Sequence, residues 1–284
     1  MSPLVSTDWL GLNLGASNVK IVDGSWRLPG EGLAIDAFHA SHIPNAVFFD
    51  IDAVADAASD LPHMLPSAEV FEDAVGGLGI APDDIVVVYD EKGIVSAARV
   101  WWTFRAMGHE KVLVLDGGFP KWLRERRPVA SGAAAPVRVP YKARPVDGAA
   151  ASADEVREAL AAGNTVVDAR SVERFAGFAP EPRPGLRSGH MPEAINIPFT
   201  ELFHTDGTML PAESLRRHFE ACGVKTGSRV ITSCGSGVTA AVLSLALEVI
   251  GSHNHALYDG SWSEWGKEGN DNAIFPVVAD AEGA

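Results

Sequence analysis

Short apolar runs rich in β-branched residues alternate along this chain with stretches of helical periodicity. Ile85–Tyr89 and Val112–Leu115 read as buried strands, and between them Ala97, Val100, Trp101 and Phe104 mark one face of a helix. The same order recurs later. Val230–Ser233 and His255–Tyr258 flank a helical pattern in which Val238, Ala241, Val242, Leu245 and Val249 are spaced i, i+3, i+4, i+7 and i+11. Strands that alternate with helices predict βαβ units and a mainly parallel sheet covered on both faces.

The recurrence extends through the chain. Lys20-Ile-Val-Asp23 matches Thr165-Val-Val-Asp168, and His42-Ile-Pro-Asn-Ala46 matches His190-Met-Pro-Glu-Ala194. Asp84–Asp90 matches Ser228–Cys234, with Gly93 and Ala97 falling on Gly237 and Ala241. Asp116-Gly-Gly-Phe-Pro-Lys-Trp122 matches Asp259-Gly-Ser-Trp-Ser-Glu-Trp265. Blocks in one order, twice, predict a doubled α/β domain: 1–130, a linker 131–150 within the Ala-, Pro- and Gly-rich stretch 128–151, and 151–284.

Composition narrows the function classes. The 284 residues are 46% hydrophobic, enough for two cores, and carry a formal charge of −14. That charge opposes binding to nucleic acid or an anionic membrane, and an anionic substrate requires a locally basic site. Two cysteines, Cys222 and Cys234, are too few for a disulfide framework or a zinc site, which points to a reducing, cytoplasmic setting. No apolar run approaches the length of a membrane span.

The candidate chemistry sits at Cys234-Gly-Ser-Gly-Val-Thr-Ala240, where a strand turns into a helix through a loop with two glycines. Backbone N–H groups of such a turn, with the helix N-terminus behind it, favour negative charge on the sulfur. In the first half the matching position is Asp90, in Asp90-Glu-Lys-Gly93, so only the second half carries a sulfur nucleophile. A Cys-loop phosphatase would need Arg six residues after the cysteine; position 240 is Ala. Cys222, after a helical run, reads as a structural thiol. Asp23 and Asp168 read as strand-end turns, and the tryptophans at 101, 102, 122, 262 and 265 as core or domain-interface residues.

The doubled domain, the His-x-Pro-x-Ala block in each half and a Cys loop in the second half alone resemble the tandem rhodanese-type sulfurtransferases. Cys234-Gly-Ser-Gly-Val-Thr-Ala240 is similar to the loop of the 3-mercaptopyruvate sulfurtransferases. Thiosulfate-using rhodaneses typically place basic residues where Gly235 and Ser236 stand. The segment from Glu173-Arg-Phe to Glu181-Pro-Arg183 resembles that subfamily's substrate-binding stretch, although a Gly-Arg-Phe is usual where Glu173-Arg-Phe stands. The resemblance implies a Cys234 nucleophile, Ser236 and His42 as catalytic partners, and Arg174 and Arg183 as substrate ligands. Gly235, Gly237, Val238 and Thr239 would complete the loop around the substrate. A relay acid beyond His42 is left open between Asp36 and Glu31.

The residues themselves suit a carboxylate-bearing donor. Two arginines nine residues apart in a Pro-rich stretch can pair bidentately with a small planar anion. Charge could be stabilised on the keto oxygen of 3-mercaptopyruvate as its C–S bond breaks. The Cys234 persulfide would then pass its outer sulfur to cyanide or a thiol, for which the family implies thioredoxin or a small thiol. No metal or organic cofactor is expected. Thiosulfate as donor is the alternative, and a non-enzymatic sulfur-carrier module a further one. Ser236 could instead only cap the helix, Arg174 and Arg183 could be ordinary surface arginines, and His42 could serve the repeat as His190 does.

Overall fold

The computed structural model describes residues 2–280; residue 1 and residues 281–284 of the expected domains lie outside them. Two compact units are present. The first contains β1 (Leu4–Val5), α1 (Thr7–Asn13), β2 (Val19–Asp23), α2 (Ala34–Ala40), β3 (Ala46–Phe48), α3 (Ala68–Gly77), β4 (Ile85–Tyr89), α4 (Ser96–Ala106), β5 (Val112–Leu115) and α5 (Gly118–Arg124). The second contains β6 (Ala150–Ala151), α6 (Ala153–Ala161), β7 (Thr165–Asp168), α7 (Val172–Ala176), β8 (Ile195–Asn196), a 3-10 turn (Phe199–Leu202), α8 (Ala212–Ala221), β9 (Val230–Ser233), α9 (Ala240–Val249), β10 (His255–Tyr258) and α10 (Ser261–Trp265).

Each unit is a five-stranded sheet, ordered β1-β5-β4-β2-β3 and β6-β10-β9-β7-β8, and every strand pair is parallel. The matched blocks occupy matched strands. Asp23 pairs in register with Tyr89, and Asp168 with Ser233, at the carboxyl ends of β2–β4 and β7–β9. Strand alternation explains the cover on both faces. Val87 and Tyr89 of β4 pack with Ile21, Phe38, Leu115 and Trp122 on one face. Val86 and Val88, fully buried as well, point the other way. In the second unit Val166, Ile231, Ala256 and Tyr258 pack with Trp262 and Trp265, while Thr232 turns to α9 and bonds the Ser244 hydroxyl at 2.9 Å. Helix α9 is buried from Ala240 to Leu247, as its apolar composition all round requires. The five tryptophans singled out from the sequence are all buried.

The His-x-Pro-x-Ala block makes the same turn twice. Asn45 and Glu193 both take positive φ (67° and 63°), and the amides of Ala46 and Ala194 close onto the carbonyls of Ile43 and Met191. Asp23 and Asp168 also form twin turns, each accepting the N–H two residues on, from Ser25 and Arg170, at 2.9 Å.

Unit membership differs from the linear division in three places. Residues up to Asp147 belong to the first unit, so the linker is not free. The amides of Val139, Arg144 and Val146 bond the carbonyls of Gly76, Met107 and Ala106. A Cβ on Gly76 would stand 2.7 Å from the Val139 carbonyl, so glycine admits the strap. The other two places are a reciprocal exchange: residues 59–64 belong to the second unit and residues 203–209 to the first. The two segments match in the repeat, since Met64-Leu-Pro66 leads into α3 and Met209-Leu-Pro211 into α8. Among the described residues no helix is long and apolar enough to cross a membrane.

Two acids are buried at the carboxyl end of the first sheet. Burial pushes Asp23 up to about 6, against hydrogen bonds from Ser25 and Tyr89, and the neighbouring Asp90 charge adds to the rise. The folded protein therefore holds a proton on Asp23 that the unfolded chain, titrating at 3.8, has already lost. Stability contributed by this group falls as pH rises from about 4 to about 6, by up to about 3 kcal/mol. Asp23→Asn is expected to be more resistant to urea than wild type at pH 7, with the difference closing toward pH 4. A difference independent of pH would refute this assignment.

Candidate active site

The loop from Cys234 to Thr239 follows β9 at the carboxyl edge of its sheet, the usual place for a site in parallel α/β sheets. The helix expected from Val238 begins only at Ala240, because the loop runs through Thr239 with Gly237 at a φ of 77°. Cys234 is buried, at 1% exposure, and Ser236 nearly so. Both cysteines are unpaired. The Cys222 thiol, at the end of α8, is pushed up by burial and by Glu201, which suits an inert structural thiol.

The loop is held from behind by the Asp-Gly-Ser-Trp block. The Ser261 Oγ accepts the N–H groups of Cys234 (3.2 Å) and Gly237 (3.1 Å) and donates to the Tyr258 carbonyl. The amides of Trp262 and Ser263 bond the carbonyls of Cys234 and Gly235, both at 2.9 Å. Ser261 takes a left-handed φ of 48°, which costs about 1–3 kcal/mol in a non-glycine residue and is offset by these bonds. Its repeat mate Gly118 has a φ of 53° and leaves no room for a side chain, since a Cβ there would stand 2.1 Å from the Gly93 carbonyl. Ser261 escaped the sequence reading; its sole signal was the departure from the Gly118 of the first half.

The first unit shows what such a loop accommodates. The Asp90 carboxylate lies inside its loop and accepts the N–H groups of Lys92 (2.8 Å), Val95 (2.7 Å) and Ala97 (2.8 Å). Their counterparts around Cys234 are Ser236, Thr239 and Ala241. Burial raises Asp90, and those amides pull the other way. Glu91, the second acid of that loop, is neutralised by a bidentate pair with Arg27, both contacts at 2.7 Å.

The structure brings both sequence-selected arginines to the Cys234 loop. Arg183 Nη1 donates to the Ser236 Oγ at 3.1 Å, and a Cβ on Gly235 would lie 2.9 Å from Arg174 Nη2. Helix α9 receives no side-chain cap, so neither Ser236 nor Thr239 caps it. Arg174 is gripped in turn by Glu181, through Nε (3.3 Å) and through Nη2. Glu181 also accepts from the buried Arg170 at 2.8 Å.

His42 belongs to the first unit, where its ring stacks on Phe38 at 4.1 Å and its Nδ1 meets the Phe38 carbonyl at 2.7 Å. His190 repeats both contacts with Phe175, at 3.9 and 2.9 Å. The shared turn thus accounts for His42. The two acids weighed as its relay partner are exposed: Glu31 pairs with Lys92, and Asp36 lies in the first turn of α2. The histidine that the structure does bring to the second unit's arginine is His63, whose Nε2 lies 3.1 Å from Arg183 Nη2. Arg donates, so this Nε2 accepts. The repeat carried a signal for it, because His63 precedes Met-Leu-Pro where the other half has Thr208.

A buried thiol in a strand-to-helix loop, approached by two arginines, on a doubled parallel α/β domain, is an arrangement suited to covalent group transfer. The rhodanese-like domain family matches residues 6–125 and 152–268, and the chain belongs to that family. It is 40% identical to the 3-mercaptopyruvate sulfurtransferase of Homo sapiens over 92% of this chain and 91% of that one. It is 41% identical to the thiosulfate sulfurtransferase of Bos taurus, with the same coverage of both chains. The crystal structure of SseA from Escherichia coli, a 3-mercaptopyruvate sulfotransferase, superposes with a TM-score of 0.83 at 38% identity, covering 93% of this chain and all of that one.

Gly235 is where a side chain would displace Arg174. Gly235→Ala is expected to lower the rate of sulfur transfer by about 10-fold or more, as small displacements of positioning groups do, while leaving thermal unfolding nearly unchanged. Undiminished turnover by the variant would show that the reaction does not need the Arg174 guanidinium held this close to Gly235.

Proposed function

We propose that the chain is a 3-mercaptopyruvate sulfurtransferase that carries sulfur on Cys234. The observation that supports this reading best is the pair of arginines delivered to an uncharged loop, Arg174 at Gly235 and Arg183 at Ser236. Thiosulfate and mercaptopyruvate relatives are equally similar in sequence, so overall identity does not choose the donor. What favours the keto acid is that the loop residues Gly235 and Ser236 are themselves uncharged, while the guanidinium groups of Arg174 and Arg183 suit a planar carboxylate.

The Cys234 thiolate attacks the sulfur of 3-mercaptopyruvate, and an S–S bond forms as the C–S bond breaks. The C–S electron pair becomes the enolate of pyruvate, whose oxygen Arg183 and the Ser236 hydroxyl stabilise, while Arg174 and Arg183 hold the carboxylate. The donor's thiol proton ends on the pyruvate methyl carbon, leaving Cys234–S–S⁻. The amides of Ser236, Thr239 and Ala241 favour this anion, as their counterparts hold the Asp90 carboxylate. Gly237 and Val238 complete the turn that aims those amides. His63, bonded to Arg183, orients the guanidinium that reaches Ser236. A thiolate or cyanide then attacks the outer sulfur and returns the Cys234 thiolate. Atoms and charge balance without a metal or an organic cofactor. Acceptors of the thioredoxin or small-thiol kind, kept reduced in the cytoplasm, suit this second step.

Wild-type protein incubated with 3-mercaptopyruvate is expected to release pyruvate and gain the mass of one sulfur atom, and Cys234→Ser to do neither. Absence of the adduct with both mercaptopyruvate and thiosulfate would sink the persulfide mechanism. Arg183→Ala is expected to cut kcat/KM for mercaptopyruvate by about 100-fold or more and to affect thiosulfate far less. Equal losses would remove the carboxylate-binding role and favour thiosulfate as the donor.

A further inference from the structure

We propose that Glu181 is the positioning residue for Arg174, holding its guanidinium over Gly235 so that it meets the donor's carboxylate. The proposal rests on the mercaptopyruvate reading. Its side chain is only 2% exposed, yet it carries a charge that the chemistry above does not use. Its backbone is stiff, because prolines 180 and 182 flank it. One oxygen is shared between Arg170 Nη1 (2.8 Å) and Arg174 Nε (3.3 Å); the other takes Arg174 Nη2.

Arg170 cannot itself be a substrate ligand. Its guanidinium is fully buried, donates to Asp168, Glu181 and the Gly189 carbonyl, and lies 4.2 Å from the Trp262 ring centroid. Burial opposes its charge, but Asp168 and Glu181 outweigh that and hold it above its ordinary value. Asp168–Arg170–Glu181 is therefore a fixed frame, neutral only once Arg174 is added. Arg174, by contrast, is a quarter exposed and stands on the five-residue helix α7. A long side chain on so short a support loses binding energy to rotamer freedom unless something clamps it. The pairing through Nε and Nη2 supplies the clamp and leaves Nη1 for a ligand.

The test is a double-mutant cycle on the full chain. Glu181→Gln keeps the side-chain shape and one acceptor oxygen. It is expected to raise KM for 3-mercaptopyruvate by about 10-fold or more with kcat changed by less than about 3-fold, the pattern of lost ground-state binding. KM for thiosulfate, with cyanide as acceptor, is expected to change by less than about 3-fold. In an Arg174→Ala background the same substitution should cost less than about 2-fold, since residues acting through one another are not additive. Equal losses with both donors, or additive losses, would assign Glu181 a merely structural role and overturn the proposal. Should Glu181→Gln not fold, Glu181→Asp, which retains the charge but withdraws it by one methylene, undergoes the same cycle. A wild-type protein that releases no pyruvate from mercaptopyruvate would overturn the donor reading and this proposal together; additivity in an active wild type would overturn the proposal alone.

Discussion

The site depends on a turn whose backbone N–H groups face inward at the end of a buried strand. Such donors have no carbonyl partners of their own, and leaving several of them buried and unpaired would cost more than the fold can absorb. The first unit answers with the Asp90 carboxylate, which takes the N–H groups of Lys92, Val95 and Ala97. The second unit has Cys234 at that position, without a carboxylate to take those N–H groups. One loop is thus closed by its own side chain, and the other holds a thiol in the same place.

The charges behind the loop follow the same economy. A buried ion pair adds little stability in itself but is costly to break. Asp168, Arg170 and Glu181 form a rigid arrangement in which every charge has a partner. Arg174 shares in it from the exposed side. The first unit has the Asp23 turn without an arginine at the position matching Arg170, where Ser25 stands, and its carboxyl is driven up to about 6. The two halves therefore use the same strand-end aspartate in opposite ways. One is a buried carboxyl whose charge is disfavoured by desolvation; the other anchors a chain of charges that ends at Gly235.

Much of this was legible in the sequence, for reasons that differ by feature. Strand and helix order came through because β-branched runs and 3.6-residue periodicity report burial directly, as at Ile85–Tyr89 and in α9. The repeat exposed Cys234 by contrast with Asp90, and the Pro-rich stretch marked Arg174 and Arg183. What failed was anything set by tertiary exchange. The linear division put residues 59–64 in the first domain, whereas they belong to the second unit and bring His63 to Arg183. The resemblance pointed to His42, whose ring stacking and Nδ1 contact the structure repeats at His190. Glu181 and Ser261 were quoted inside motifs without a role, because a clamp and a backstop act through geometry that spacing does not encode.

That contrast gives a rule for doubled domains. Positions alike in both halves maintain the turn and the strand end: His42 with His190, Asp23 with Asp168, and the shared positive φ of Asn45 and Glu193. Several residues that break the match are gathered around the Cys234 loop or its arginines. Cys234 replaces Asp90, Ser261 replaces Gly118, Arg170 replaces Ser25, and His63 stands where the other half has Thr208. Each of these four lies in the second unit, including the one drawn from the first half of the chain. The reciprocal exchange of 59–64 and 203–209 is what makes that possible, since it lets a substitution in one half of the sequence complete the site built by the other. The asymmetry of the candidate site is therefore distributed over both halves of the sequence, although the loop cysteine is not.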